Sequence, residues 1–161
     1  MIRAATLDDI PKMVELAAQM HPEGDYKNVP YNPEMYGRFL EIALPQDQYC
    51  LFVYEKEGEI VGAIMGSVFC FLFSPLLQAA DMGFFVVPEH RGTLAAPLLE
   101  KAYREWAIRK GKEAGQDFIK VRLDVSTANT KAGAFYERLG YTCVGGNYSK
   151  DVFFTGVGHE A

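Results

Sequence analysis

Apolar residues return at helical intervals from residue 95 onward: Ala95, Leu99, Ala102 and Trp106 share one face, and Glu100, Lys101, Arg104, Glu105 and Arg109 share the opposite one. Proline is tolerated only in a first turn, so Pro97 sets the start of this helix between Thr93 and Ala95, and Gly111 or Gly115 can end it. An earlier stripe of Ile10, Met13, Val14, Ala17 and Met20 predicts a helix whose Pro11 places its start near Asp8. Asn32 as cap and Pro33 as first helical residue open another, with Tyr36, Phe39, Leu40 and Ala43 facing inward. The last, capped by Asn129 and stopped by Gly140, carries Ala132, Phe135, Tyr136 and Leu139 on its stripe.

Between these helices the pattern changes to β-branched and aromatic runs. Residues 2–5 read as a first strand. Residues 49–55 and 60–73 form a hairpin around Lys56-Glu57-Gly58, broken by Ser74-Pro75. Residues 78–87 are the fourth strand and 118–125 the fifth, and the long helix between them makes a crossover long enough to set them parallel. Gly62 and Gly66 have the spacing expected beside a packed helix. A closing hairpin is expected over 141–155, loosely around Gly145-Gly146-Asn147 and Ser149-Lys150. The order is βααβββαβαββ, an α/β fold of the α+β kind, with about seven strands and about four helices in one domain over residues 1–161.

With 161 residues and 49% hydrophobic positions, the chain can bury one sizeable core. Its most apolar stretch, 61–77, is strand-like and falls short of the roughly 20 residues that span a bilayer. The N-terminus runs into acidic residues without a secretory pattern, so a cytoplasmic protein with no membrane partner is expected. Cys50, Cys70 and Cys143 are odd in number, lack ligand-like spacing and lie in apolar runs, which suits reduced, buried thiols and no bound metal. A formal charge of −5 argues against nucleic acid and is compatible with a cationic amine.

The fourth strand turns directly into the long helix through Val87-Pro88-Glu89-His90-Arg91-Gly92-Thr93-Leu94-Ala95-Ala96. A helix start leaves about four N–H groups without internal partners and adds partial positive charge, so the amides of residues 91–96 can hold diphosphate. An ordinary strand–turn–helix would look the same locally. However, this segment resembles the pyrophosphate loop of the GNAT N-acetyltransferases, Arg/Gln-x-x-Gly-x-Gly/Ala: Arg91 and Ala96 match, and Leu94 stands where the first glycine usually is. Residues 129–141, NTKAGAFYERLGY, resemble the same family's Asn-x-x-Ala-x-x-x-Tyr-x-x-x-Gly-Phe/Tyr segment.

The resemblance implies a GNAT fold over essentially the whole chain, acetyl-CoA as acyl donor, and a small-molecule or protein amine as acceptor. Strands four and five would splay, freeing the main chain of Phe85, Val86 and Val87 for pantetheine. Arg91, Gly92, Thr93, Leu94, Ala95 and Ala96 would hold the diphosphate, and Asn129 would steady the cofactor arm or simply cap its helix. Tyr136 matches the family's general acid; a tyrosine filling space is the alternative. The base is open between Asp81, read as sharing a strand face with Gly83, Phe85 and Val87, and Asp124 at the end of the fifth strand. Tyr26, Tyr31 and Tyr36 would line the acceptor site or anchor their loop. A homodimer is compatible with such a chain. Two other classes compete: a catalytically silent protein on the same scaffold, and a dinucleotide-dependent oxidoreductase, which the absence of Gly-x-Gly-x-x-Gly disfavours.

Overall fold

A computed structural model of the chain describes residues 1–126, 129–145, 150 and 152. Its residues cluster into two compact units, Met1–Asp124 and Val125–Ala161. The first holds one sheet in the order β1-β2-β3-β4-β5, built from β1 (Ile2–Ala4), β2 (Tyr49–Lys56), β3 (Glu59–Phe71), β4 (Ser74–Val86) and β5 (Lys120–Arg122). Three helices belong to this unit: α1 (Ile10–Met20), α2 (Pro33–Ala43) and α3 (Ala95–Glu113). The second unit carries α4 (Thr130–Arg138).

Neighbouring strands from β1 to β4 are antiparallel, and β4 with β5 is parallel, as the crossover through α3 requires. The β2–β3 turn uses left-handed backbone at Glu57 (φ 54°) and Gly58 (φ 84°), which matches the twist of a tight hairpin. Among the described residues the strands number five rather than about seven. Ser74-Pro75 begins β4 instead of merely breaking the hairpin, and the fifth strand shrinks from 118–125 to three residues. Of the expected closing hairpin, 141–145 carries no strand; 146–149, 151 and 153–155 lie outside the described residues.

Each helix obeys the local chemistry of its ends. The Asn32 side chain accepts the Met35 N–H at 2.9 Å, and Pro33 follows as the first residue of α2. A short 3-10 turn at Leu7–Asp9 precedes α1, where the Arg3 guanidinium grips both Asp9 oxygens (2.7 and 2.9 Å) and Glu55 (2.9 Å). That pairing holds the Asp9 carboxyl well below the usual carboxylate range and ties β1, β2 and α1 together. Gly115, at φ 72°, ends α3, and Gly111 lies inside it with Ile119 where a β-carbon would point.

The sheet buries both faces. On one, Met13 and Leu16 of α1 and Leu40 and Ala43 of α2 meet Leu51, Val53, Ala63, Met65 and Phe85. On the other, Leu99, Tyr103, Trp106 and Ala107 of α3 meet Cys50, Ile64, Ala79 and Val86. Glu100, expected on the solvent face, is buried and accepts Arg104 Nε at 2.9 Å. Of the cysteines only Cys50 is buried, its thiol pushed up to about 12 by burial; Cys70 and Cys143 are exposed. No helix among the described residues is long and apolar enough to cross a membrane.

The two strand glycines explain how α3 lies so close. A β-carbon on Gly66 would come 2.4 Å from the Tyr103 ring, and one on Gly62 would meet Val86, the Phe85 carbonyl and Leu99 at 3.0–3.2 Å. Tyr103 cannot swing aside, because it is fully buried and its hydroxyl donates to the Arg122 carbonyl at 3.0 Å. Gly66→Ala therefore overpacks this contact and lowers stability by about 1–3 kcal/mol, read as a shifted urea midpoint with an unchanged slope.

Candidate active site

The site begins where two strands part. β5 pairs with β4 only at Gln78–Lys120, Ala79–Val121 and Ala80–Arg122, whereas β4 continues beside β3 to the Gly62–Val86 pair. At the parting the register jumps from Gly66–Asp81 to Met65–Gly83, so Met82 is an extra residue without an opposite number. Such a bulge bends and twists the strand that carries it. Among the described residues, β4 from Asp81 to Val86 has a ladder on its β3 side alone.

Alternation then decides which main-chain groups reach the open edge. The Val87 N–H donates to the Val61 carbonyl at 3.0 Å, so Val87 and, two residues earlier, Phe85 turn their main chain toward β3. Phe84 and Val86 face the opening, and the Val86 carbonyl there accepts Arg91 Nε at 2.9 Å. The expected trio of Phe85, Val86 and Val87 thus narrows to Val86, with Phe84 added. Counting alternate residues back from the turn would have found Phe84 once the register with β3 was known.

The bulge also corrects the position of Asp81. It pairs with Gly66, whose missing side chain points at Tyr103 of α3, while a β-carbon on Gly83 would point at Met20 of α1. Asp81 therefore lies on the α3 face and does not share a face with Gly83 and Phe85. Its carboxylate Oδ1 accepts the Asp124 N–H at 2.7 Å, bridging the first gap beyond the ladder. Burial pushes this carboxyl up to about 7; the Asp124 N–H pulls it down, and the Asp124 carboxylate adds to the rise. The Asp124 side chain is itself exposed and lies 3.6 Å from the Arg122 guanidinium.

Beyond Val86 a 3-10 turn at Pro88–His90 leads to Arg91, then Gly92 at φ 77°, a conformation that favours glycine, and then the start of α3. The free donors are fewer than a run from 91 to 96. The Arg91 N–H closes on the Pro88 carbonyl at 3.2 Å, and the Ala95 N–H meets Thr93 Oγ1 at 3.3 Å. Thr93 Oγ1 donates in turn to the His90 carbonyl at 2.7 Å. Among the described residues the N–H groups of Gly92, Thr93, Leu94 and Ala96 donate to no protein acceptor. Leu94 has right-handed backbone (φ −73°) and is exposed, so its β-carbon costs nothing where the motif has glycine.

Two of the three loop tyrosines come together on the α1–α2 face. Rings follow one another from His21 to Tyr31 (5.7 Å), Tyr36 (6.3 Å), Phe39 (6.4 Å) and Tyr49 (6.0 Å). The Tyr31 hydroxyl donates to the Val14 carbonyl at 2.8 Å, which anchors the loop to α1, and burial pushes the Tyr36 hydroxyl up to about 12. Tyr26 stands exposed outside this row. In the second unit, Asn129 Oδ1 accepts the Ala132 N–H at 3.1 Å as a helix cap. Tyr136 is buried in α4, its ring 5.6 Å from Phe135 and 6.2 Å from Tyr141. No cluster of His, Cys, Asp and Glu among the described residues could hold a metal ion.

A family model for the acetyltransferase (GNAT) family matches residues 10–141. The chain belongs to the GNAT family. As a GNAT protein it is an acyltransferase, with a mixed sheet whose fourth and fifth strands are parallel. Among solved structures it is similar to a transcriptional regulator from Bacillus halodurans C-125, 25% identical, with a TM-score of 0.71 and 94% of this chain and 99% of that one covered. It also shares its fold with AAC(6')-Iy in complex with a bisubstrate analogue, CoA-S-monomethyl-acetylneamine (19%, TM-score 0.70, 96% of each chain). Glucosamine-6-phosphate N-acetyltransferase from Arabidopsis thaliana is similar at 22% identity, TM-score 0.70, covering 96% and 98%. No curated protein matches the sequence.

The raised Asp81 carboxyl makes stability of this GNAT domain pH-dependent. The folded state holds its proton up to about pH 7, whereas an unfolded aspartate releases it near 3.8. The folded chain therefore binds more protons between those values, and the Asp81 contribution to stability falls as pH rises through that window. Asp81→Asn keeps an oxygen for the Asp124 N–H and removes the charge, so it should raise the melting temperature at pH 8 and leave it nearly unchanged at pH 4.

Proposed function

We propose that the chain transfers the acetyl group of acetyl-CoA directly to a primary amine of a small molecule or protein. The observation that carries this reading is the set of N–H groups of Gly92, Thr93, Leu94 and Ala96 that donate to no acceptor among the described residues, at the start of α3 beside the edge of β4 that β5 leaves. Those donors fit a diphosphate, and the Phe84 and Val86 main chain fits an extended amide-bearing arm laid along the strand. Ala95 and Arg91 shape the turn around them. Acetyl-CoA, when bound, supplies an activated acyl group as a thioester.

The chain's own residues then have three tasks. One is to keep the attacking nitrogen neutral, since an ammonium has no free electron pair. Of the two aspartates, Asp81 suits this better: its carboxyl is poised near neutrality and lies in the gap between the parted strands, where Asp124 offers an exposed carboxylate already beside Arg122. The second is to polarise the thioester carbonyl, for which main-chain N–H groups at the fork are the natural donors. The third is to protonate the departing thiolate, the role the resemblance gives Tyr136, with Asn129 steadying the helix that carries it. Tyr31 and Tyr36, with exposed Tyr26 outside their row, would meet the acceptor.

A thiol-release assay with acetyl-CoA across an amine panel, read by mass spectrometry, tests donor and acceptor together. Tyr136→Phe is expected to lower kcat by about 10²-fold or more with coenzyme A affinity retained; unchanged turnover removes Tyr136 from the mechanism. Because Asp81 must be ionised to accept a proton, kcat/KM should climb with pH and level off above about 7, a limb that Asp81→Asn abolishes.

A further inference from the structure

Arg91 is the residue through which three segments meet. Its Nε donates to the Val86 carbonyl at 2.9 Å, on the edge of β4 that faces the opening. Its Nη2 lies 2.9 Å from each carboxylate oxygen of Glu23. The guanidinium carbon also sits 5.2 Å from the centre of the Phe85 ring. Glu23 belongs to the 3-10 turn His21–Glu23 that follows α1, two residues from the His21 ring that begins the aromatic row. The one arginine of the diphosphate turn is thus held by a carboxylate from the acceptor side.

Resting on the functional reading above, we propose that Glu23 is a positioning residue that competes with the cofactor's diphosphate for the Arg91 guanidinium. Glu23 holds Nη2 through both of its oxygens, so a diphosphate drawn to the same Nη2, which recognises carboxylate and phosphate alike, has to displace it. A more highly charged diphosphate, already gripped by the Gly92, Thr93, Leu94 and Ala96 amides, draws Arg91 away. Glu23 is then released, and the turn that carries it loses its tie to the cofactor loop. Cofactor and acceptor sites are in this way linked by a single exchangeable ion pair.

The competition has a sign that can be measured. Both side chains are 44% exposed, where an ion pair contributes modestly. Removing the Glu23 charge should therefore tighten coenzyme A binding by about three- to fivefold. Calorimetry with coenzyme A on wild type, Glu23→Gln, Arg91→Gln and the double variant tests this. The gain from Glu23→Gln should vanish when Arg91 is also replaced, and it should shrink at 0.5 M salt, roughly a fivefold rise over the ordinary ionic strength at which exposed charges interact over about 10 Å.

Glu23→Ala, which also lacks the charge, should behave as Glu23→Gln does, with melting temperatures confirming that each variant is folded. Weaker or unchanged binding in both Glu23 variants overturns the proposal, because Glu23 would then be orienting Arg91 for the cofactor or doing nothing to it. Absence of binding by every protein, wild type included, overturns the functional reading, and the competition falls with it.

Discussion

The structure depends on the early end of one hydrogen-bonded ladder. A strand inside a protein must find partners for its N–H and C=O groups, and among the described residues β4 has a strand on both sides only as far as Ala80. From Asp81 onward, with Met82 bulged out, no described strand pairs with the second edge of β4. The parting is built in by side chains. Tyr103 of α3 holds the Arg122 carbonyl, Asp81 takes the Asp124 N–H, and Gln116 bonds both main-chain groups of Leu77 just before the ladder starts. β5 is thereby held at its beginning and diverted at its end.

Those contacts work because α3 lies hard against the sheet. Gly62 and Gly66 remove the β-carbons that would hold it off, and Tyr103 fills the space so gained with a ring that carries its own hydrogen bond to β5. The same helix begins with donors that meet no acceptor among the described residues, so the element that packs beside the two strands also presents the positive end of its dipole beside the gap. Packing and anion recognition are two consequences of where one helix sits.

Charge is distributed with similar economy. Asp81 is costly to ionise because it is partly buried at the fork, and that cost sets its carboxyl near neutrality. Arg91, at the opposite end of the open edge, gives Nε to Val86 and Nη2 to Glu23. A GNAT domain of net charge −5 thus keeps a carboxyl that titrates near neutrality and an ion-paired arginine at the two ends of the open edge.

The four helices, the order of elements up to α4, the cap at Asn32, the glycine pair under α3 and the two family-like segments were all legible in the sequence, because local propensity and periodicity dictate them. Periodicity could not show the bulge at Met82. A single inserted residue leaves the composition of a strand unchanged yet reverses the faces on its two sides relative to each other, which put Asp81 on the α3 side, while the register with β3 put Phe84, and not Phe85 or Val87, at the opening. Nor could spacing reveal that Glu23 meets Arg91, since the two are 68 residues apart. What the sequence determined by itself was which segments become helices and strands and where their free ends lie. What only the tertiary structure decided was register and long-range pairing, because these are set by contacts between segments and not by the preferences of any one of them.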